Sequence, residues 1–331
     1  MSRSIGELTV THFIRTPDEN FANLKNFDHP ARYHAWQDLR MHYVDAGPAE
    51  GPVVLLLHGM PTWAYLYRDM IPALVGAGFR CIAPDHMGFG RSDKPTDIHW
   101  YTIARHVEIM TSLITALDLK RVTLVCQDWG GPIGLAQAVL MPERFDRLVV
   151  MNTWLHHPEY EYTNAIRSWN RNWHEGGLFH RPQPDVALLM VASAGLAGPE
   201  LILPALTRGQ IPRFSGRAAE VYEGFSAPHR GLPDEAFNGL RRFPLSIPFD
   251  SYDNGNGAAQ SHCYRALLAW PKPVHFIWGC ADDVFTEAWG RTWAGRMNAS
   301  FDPIDAGHFL QNTHGEAVAE TIVQRIAEEA C

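Results

Sequence analysis

Strand-like apolar runs alternate with helix-like segments from about residue 30 onward. The run Val53–Leu57 is apolar at every position, which is typical of a strand buried on both faces of a sheet. The other predicted strands in the first half of the chain are Leu39–Asp45, Arg80–Pro84, Val122–Cys126 and Leu148–Met151. The helices predicted by apolar spacing are Leu66–Val75, Ile103–Leu117 and Pro132–Leu140. This βαβα order predicts an α/β fold with a mostly parallel sheet flanked by helices.

The pattern stops after residue 153. Residues 154–228 are rich in Trp, Tyr, His and Pro and contain no strand signal. Strand signals resume at Val274–Trp278 and around Ala299–Ile304, and a helix at Glu316–Ala327 closes the chain. We therefore expect a core domain of residues 1–153 and 229–331, interrupted by a helical lid of residues 154–228 at the ligand-binding end of the sheet. A surface loop with a structural core of its own is the alternative.

Composition and charge restrict the class of protein. The chain has 331 residues, of which 46% are hydrophobic and 19% charged, and its net charge is −8 with histidine neutral. Lys and Arg form no cluster, so nucleic acid and anionic membranes are poor partners. No apolar stretch is long enough to span a membrane, and the N-terminus lacks the apolar core of a signal peptide. Five dispersed cysteines indicate neither a disulfide framework nor a zinc site, and they fit a reducing cytoplasm.

A candidate nucleophile follows the predicted strand Val122–Cys126. There the sequence is Gln-Asp-Trp-Gly-Gly at residues 127–131, and a helix comes next. A strand, a tight turn with small residues and a helix make up a nucleophile elbow, here with Asp128 in the reactive position. A carboxylate is already ionised at neutral pH, so it can displace a leaving group from a saturated carbon and form an ester. The alternative is that Asp128 only caps the following helix.

Hydrolysis of an ester on Asp128 requires a base. His308, in the segment DAGHF at residues 305–309, follows the last strand signal. Asp282 follows the preceding strand and is the predicted acid that orients the base, with Asp283 as the alternative. The chain order nucleophile, acid, base is that of the α/β hydrolases. Some related enzymes place the acid after an earlier strand, but residues 151–153 contain no carboxylate.

Two further groups are predicted around the nucleophile. The backbone N–H groups of Met60, after the strand Val53–Leu57, and of Trp129 are expected to form an oxyanion hole. The indole N–H of Trp129 is a donor only, which suits a departing halide that needs no proton. An epoxide oxygen would instead require an acidic O–H, usually from tyrosine. This distinction is weak on its own, because epoxide hydrolases also carry Asp-Trp-Gly.

Four motifs share a resemblance to one family. They are HGMPTW at residues 58–63, GFGRSDKP at 88–95, VCQDWGG at 125–131 and DAGHF at 305–309. Together they resemble the haloalkane dehalogenases, and most closely the subfamily whose catalytic acid follows the strand after the lid. The resemblance extends from about Thr16 to the end of the chain and is weakest in the lid. Met60 departs from it, since that subfamily often has Glu there, and we expect the wall of the pocket to differ.

The resemblance implies a second halide donor, a tryptophan of the lid. Trp169 is the best match, Trp173 lies one helical turn later and is the alternative, and Trp154 is expected to pack in the lid core. The implied reaction converts a small halogenated aliphatic compound and water into alcohol, halide ion and a proton. It needs no cofactor and no metal. We expect a monomer or weak oligomer.

Three other functions remain open at this point. An epoxide hydrolase or a β-lactone decarboxylase could use the same Asp-His-Asp machinery. Paired lid tyrosines directed at Asp128 would favour the epoxide, and the candidates are Tyr160, Tyr162 and Tyr222. A ligand-binding receptor with the same pocket is the third, although an intact set of Asp128, Asp282 and His308 speaks against it.

Overall fold

The computed structural model describes residues 11–249 and 254–329. The N-terminal stretch expected to lack a signal peptide lies partly outside these residues, as does Cys331. The strands of the described part are short and mostly buried. In chain order they are β1 (Phe13–Ile14), β2 (Arg32–Trp36), β3 (Leu39–Ala46), β4 (Val53–Leu57), β5 (Arg80–Pro84), β6 (Lys94–Pro95), β7 (Val122–Gln127), β8 (Phe145–Met151), β9 (Val274–Gly279) and β10 (Ser300–Ile304).

Eight of these strands form one sheet in the order β10-β9-β8-β7-β4-β5-β3-β2. All neighbours from β10 to β5 are parallel, whereas β3 pairs antiparallel with both β5 and β2. Every residue of β4, β7 and β9 is buried, as expected for parallel strands covered on both faces. The predicted α/β fold with a mostly parallel sheet is therefore confirmed. The short strands β1 and β6 pair separately.

Helices account for much of the remaining described chain. Within the described residues they are α1 (Ile71–Gly76), α2 (Ile103–Ala116), α3 (Gly130–Leu140), α4 (Asn164–Trp173), α5 (Ala187–Ser193), α6 (Pro199–Arg208), α7 (Gly216–Ser226), α8 (Asn238–Leu245), α9 (Gly257–Leu267), α10 (Glu287–Arg296) and α11 (Leu310–Glu328). Helix α3 packs against α2, α9 and β7, while α11 packs against α1 and β9. None of the described helices is long and apolar enough to cross a membrane.

The predicted lid falls in the segment between β8 and β9. The described residues of this segment contain helices α4 to α9 and no strand. Helix α4 packs against α8, and α5 packs against α6 and α7. Residues 154–228 remain the predicted extent of the lid, and helices α4 to α7 lie within this stretch.

One predicted helix is wrong. The segment Leu66–Val75 was expected to be a single helix, but the structure has a 3-10 helix at Ala64–Tyr67 and then α1 from Ile71. Pro72 lies in the first turn of α1, where its missing N–H costs nothing, and a helix running through it would lose a backbone hydrogen bond. Arg68, between the two pieces, is buried and donates to the carbonyl of Tyr65 at 3.0 Å.

The first residue of α3 lies against β4. A Cβ atom at Gly130 would come within 2.1 Å of the carbonyl oxygen of Leu57. We expect Gly130→Ala to lower the free energy of unfolding by about 2 kcal/mol or more, because backbone would have to move. Gly295→Ala is the control: no atom lies within 4 Å of its Cβ position, so we expect stability between unchanged and about 1 kcal/mol higher. Urea unfolding measures both, and a Gly130→Ala midpoint equal to wild type would contradict this close packing.

Candidate active site

Asp128 occupies a strained turn between β7 and α3. Its backbone has φ of 51°, in the left-handed region that residues with a Cβ rarely adopt. Two hydrogen bonds hold the turn: the Asp128 N–H donates to the carbonyl of Asn152 at 3.0 Å, and the Thr153 hydroxyl donates to the Asp128 carbonyl at 2.5 Å. Because β7 is central in the sheet, the turn presents the carboxylate at the carboxyl edge, where ligands bind in such folds.

The loop after β4 closes on this carboxylate. The Met60 N–H donates to Asp128 Oδ1 at 2.7 Å. Gly59 permits this approach, since a Cβ there would lie 2.2 Å from the same oxygen. The structure thus places the predicted oxyanion donor of Met60 on the nucleophile, whereas the role of the Trp129 N–H stays a prediction.

His308 lies between two carboxylates. Its Nδ1 is 2.8 Å from Asp282 Oδ2, and its Nε2 is 3.7 Å from Asp128 Oδ2. Asp282 is buried, and its other oxygen accepts the Val284 N–H at 2.7 Å. The alternative acid, Asp283, is exposed. The structure therefore brings Asp128, His308 and Asp282 together in the predicted order.

The charge of His308 follows from these neighbours. Burial alone would disfavour the imidazolium ion, but the nearby carboxylates of Asp282 and Asp128 more than offset burial and raise the His308 pKa to about 10. At neutral pH the free site therefore contains an imidazolium ion between two carboxylates. A positive His308 cannot accept a proton, so a base function requires that one of these negative charges be removed first.

A cavity of about 370 Å³ opens on Asp128 and His308. Its walls are mainly apolar side chains contributed by the segment between β8 and β9 and by the loop after β9. Six of them are Ile166, Leu189, Ala192, Ile247, Val284 and Phe285. Ser193 adds a hydroxyl, and no Lys or Arg of the described chain lines this space. An apolar cavity with a few polar groups suits a small, uncharged organic ligand.

Three indole rings line this cavity, those of Trp129, Trp154 and Trp169. Trp129 and Trp169 both line it, and neither indole N–H donates to an acceptor among the residues that the structure describes. Trp173, the alternative lid residue, does not line the cavity. It is buried and stacks on Phe179, with ring centres 5.0 Å apart. Trp169 therefore lies on the same cavity as Asp128, whereas Trp173 does not.

Trp154 packs directly behind Trp129. Its ring meets that of Trp129 edge to face at 4.7 Å and stacks on Phe285 at 4.9 Å. It is buried, as expected for a packing residue, but it also forms part of the cavity wall. Such aromatic contacts restrict the orientation of the Trp129 ring.

The three candidate tyrosines lie elsewhere. None of them lines the cavity at Asp128. Tyr160 packs edge to face on Trp289, the Tyr162 hydroxyl lies 2.8 Å from His156 Nδ1, and Tyr222 donates to Asp185 at 2.7 Å. The arrangement that would favour epoxide opening is therefore missing from the described cavity wall.

Sequence reasoning missed two polar neighbours of the site. Asn152, directly after β8, donates to Asp282 Oδ2 at 2.9 Å and to the Gly279 carbonyl at 3.0 Å. Gln127 donates to the His308 carbonyl at 3.1 Å. In the sequence, Gln127 was marked only by its place beside Asp128, and Asn152 only by its place directly after a predicted strand. Their contacts depend on which strands become neighbours.

Comparisons with known proteins agree with this geometry. Residues 52–314 match the family model of the α/β hydrolase fold. Haloalkane dehalogenases from Psychrobacter cryohalolentis and Mycolicibacterium paratuberculosis are each 37% identical to this chain, over 95% and 94% of it and 97% of their own lengths. The structure of a tetrameric haloalkane dehalogenase from Paraglaciecola agarilytica superposes with a TM-score of 0.80 at 32% identity, covering 94% of this chain and 97% of that one. The chain therefore belongs to the haloalkane dehalogenase family, hydrolases of the α/β-hydrolase fold that act on carbon–halide bonds.

Proposed function

We propose that this protein converts haloalkanes and water into alcohol, halide ion and a proton through a covalent ester on Asp128. The observation that carries the proposal is a carboxylate, rather than a hydroxyl, on a strained turn beside an apolar cavity whose wall includes the indole rings of Trp129 and Trp169. A carboxylate can attack a saturated carbon directly. The described wall contains neither a tyrosine hydroxyl for an alkoxide nor a Lys or Arg side chain for a charged substrate.

The first step is displacement of halide. Asp128 Oδ1 is held by the Met60 N–H, so Oδ2 is the oxygen available for attack. It forms a bond to the halogen-bearing carbon as the carbon–halogen bond breaks and the halogen leaves with the bonding pair. The indole N–H groups of Trp129 and Trp169 stabilise the departing halide, since hydrogen bonds to charged groups are the stronger ones. No proton is transferred in this step.

The second step is hydrolysis of the ester. His308 Nε2 removes a proton from water while the water oxygen bonds to the ester carbonyl carbon. The negative charge that develops on Oδ1 is stabilised by the Met60 N–H, with the Trp129 N–H as the proposed second donor. Asp282 orients the ring through Nδ1 and Asn152 holds Asp282 in place. As the bond between the Asp128 carbon and the alkyl oxygen breaks, the alkoxide takes a proton from His308 Nε2 and leaves as the alcohol. The Asp128 carboxyl group then gives up its remaining proton and is restored as a carboxylate.

The first step prepares the base for the second. Esterification removes the negative charge of Asp128, one of the two carboxylates that raise the pKa of His308. The pKa of His308 must therefore fall when the ester forms, and the neutral ring becomes available as a base. Before alkylation, the imidazolium ion instead keeps Asp128 paired and ionised.

The proposal also covers the lid, the oligomeric state and the cellular compartment. We expect a lid of residues 154–228 over a core of residues 1–153 and 229–331, because Trp169 reaches the cavity from helix α4. We expect a monomer or weak oligomer, although the Paraglaciecola relative is tetrameric. We also expect the protein to work in the cytoplasm, without nucleic acid or membrane partners, because its cysteines are dispersed and its charge is −8.

The covalent intermediate is the direct test of this function. With 1-bromobutane, wild-type protein should release bromide over many turnovers. His308→Phe should alkylate normally but hydrolyse the ester about 10²- to 10⁴-fold more slowly, because only the second step needs a base. Mass spectrometry of the intact protein and its peptides should then find a butyl adduct on Asp128.

The exposed His314 supplies the control for that experiment. His314→Phe should turn over like wild type and accumulate no adduct. An unmodified His308→Phe protein, or one with full turnover, would show that the roles assigned to Asp128 and His308 are wrong.

The halide donors can be separated by titration. Bromide or iodide should quench the fluorescence of wild-type protein through Trp129 and Trp169. Trp169→Phe should weaken halide binding by about 10- to 150-fold, the usual effect of losing one hydrogen bond to a charged group. Trp173→Phe should leave halide affinity near the wild-type value, since its ring lies outside the cavity. The reverse order would place the lid donor one helical turn later than we propose.

The electrostatic coupling predicts a change in titration. Asp128→Asn mimics the neutral ester in size and charge. Loss of this carboxylate should lower the pKa of His308 from about 10, by about one to three pH units, because a nearby negative charge favours the imidazolium ion. NMR titration of the imidazole signal measures the midpoint, with mass spectrometry to confirm that the introduced amide has not hydrolysed back to a carboxylate. Asp283→Asn, at an exposed carboxylate, should leave the midpoint unchanged. Equal midpoints in all three proteins would refute the coupling.

A further inference from the structure

Gln127 is the last residue of β7 and is fully buried beside the base. Its side-chain Nε2 lies 3.1 Å from the His308 carbonyl oxygen and 3.0 Å from His308 Nε2. An amide NH₂ group has two hydrogens, so one can donate to the carbonyl in either charge state of the ring and the other can donate to Nε2 when the ring is neutral. The amide therefore contacts the base nitrogen that must take a proton from water.

The orientation of this amide follows from the His308 carbonyl. If the amide were turned over, its oxygen would lie against the carbonyl oxygen, and two acceptors would face each other at about hydrogen-bond distance. The donor end is therefore the end that faces His308. The amide oxygen Oε1 is buried and has no hydrogen-bond partner among the described residues.

The protonation of His308 then matters for this contact. Because Nδ1 lies 2.8 Å from Asp282, Nδ1 carries a hydrogen in either charge state. Nε2 carries an unshared pair in the neutral ring and a hydrogen in the imidazolium ion. An N–H of Gln127 is attracted to the first and repelled by the second, so it favours the neutral ring.

We propose that Gln127 is a positioning residue for ester hydrolysis, whose amide holds the His308 ring in place and keeps Nε2 free of a proton in the alkylated protein. The inference rests on the proposed function. Incoming water replaces the N–H at Nε2, while the second N–H remains on the His308 carbonyl and keeps the ring seated. After proton transfer the same amide opposes the imidazolium ion and favours its return to the neutral state.

Few other groups compete for control of this titration. The charged groups facing His308 in the described residues are Asp128, after β7, and Asp282, after β9. The rings of Phe285 and Phe309 lie against the imidazole, with ring centres 5.5 Å and 4.6 Å away. Once Asp128 is an ester, Asp282 favours protonation and Gln127 opposes it. The balance between these two sets the pH at which hydrolysis becomes effective.

The experiment separates the two chemical steps in Gln127→Leu. Rapid mixing with 1-bromobutane measures alkylation from the first-turnover release of bromide, and the decay of the Asp128 adduct measures hydrolysis across pH. Hydrolysis requires neutral His308, so its rate falls as pH drops through the His308 pKa. Loss of the opposing N–H should move that midpoint upward by roughly 0.5 to 1 pH unit, which slows hydrolysis about 3- to 10-fold below the midpoint. Alkylation should stay near the wild-type rate.

A second variant and a control distinguish the proposed role of Gln127 from a folding defect. Gln127→Glu replaces the donor with an acceptor that favours the imidazolium ion, so its midpoint should lie above that of Gln127→Leu. Gln137 is also a buried amide, bonded to Thr111 and Val107 on α2, and Gln137→Leu should leave the midpoint unchanged. The size of the bromide burst counts correctly folded sites in each protein.

The outcomes separate the inference from the function on which it rests. Midpoints equal to wild type in both Gln127 variants, or an equal slowing of both steps without a shift, would overturn the role of Gln127. In that case an adduct that still accumulates in His308→Phe would leave the proposed function standing. If no protein forms an adduct, the proposed function itself fails.

Discussion

The strained backbone at Asp128 is the constraint on which the rest of the site depends. A residue with φ of 51° is held there by the strand β7, the helix α3 and hydrogen bonds from the neighbouring strand end. The turn fits only because Gly130 and Gly59 leave room for the Leu57 carbonyl and the Asp128 carboxylate. Strain of this kind costs about 1–3 kcal/mol and persists only where the surroundings enforce it. Here the sheet supplies that support and presents the Asp128 carboxylate to the cavity.

Once this carboxylate is in place, the charges around it decide the order of events. A carboxylate, an imidazolium ion and a second carboxylate form a line in which each charge has a partner. In the proposed mechanism, alkylation neutralises Asp128, so only the carboxylate of Asp282 still favours the protonated His308 ring. The nucleophile thus needs no base for its own reaction, and the base is released only after the ester exists. Water in the cavity is activated at the time when an ester is present to hydrolyse.

Most of the core could be predicted from the sequence because local signals and tertiary demands agree there. Val53–Leu57 is a strand with the predicted bounds, and Asp128 lies between a strand and a helix as expected. The helix predicted at 66–75 is wrong because the prediction followed the apolar spacing and ignored Pro72, which favours a helix start at that point. Asn152 and Gln127 were missed for a different reason. Their partners, Asp282 and His308, are separated from them by 130 and 181 positions and meet them only through the order of strands in the sheet.

The proposed halide leaving group explains why tryptophan side chains suit this cavity. A halide departs with a full negative charge and needs no proton, so a donor that cannot act as an acid is sufficient. Such a donor acts most strongly when water is excluded, and the apolar wall around Trp129 and Trp169 provides that condition. The wall must also hold the donors still, since a ring free to turn would lose part of the benefit. Trp154 packs between Trp129 and Phe285 and restricts the Trp129 ring, so it supports the proposed halide site.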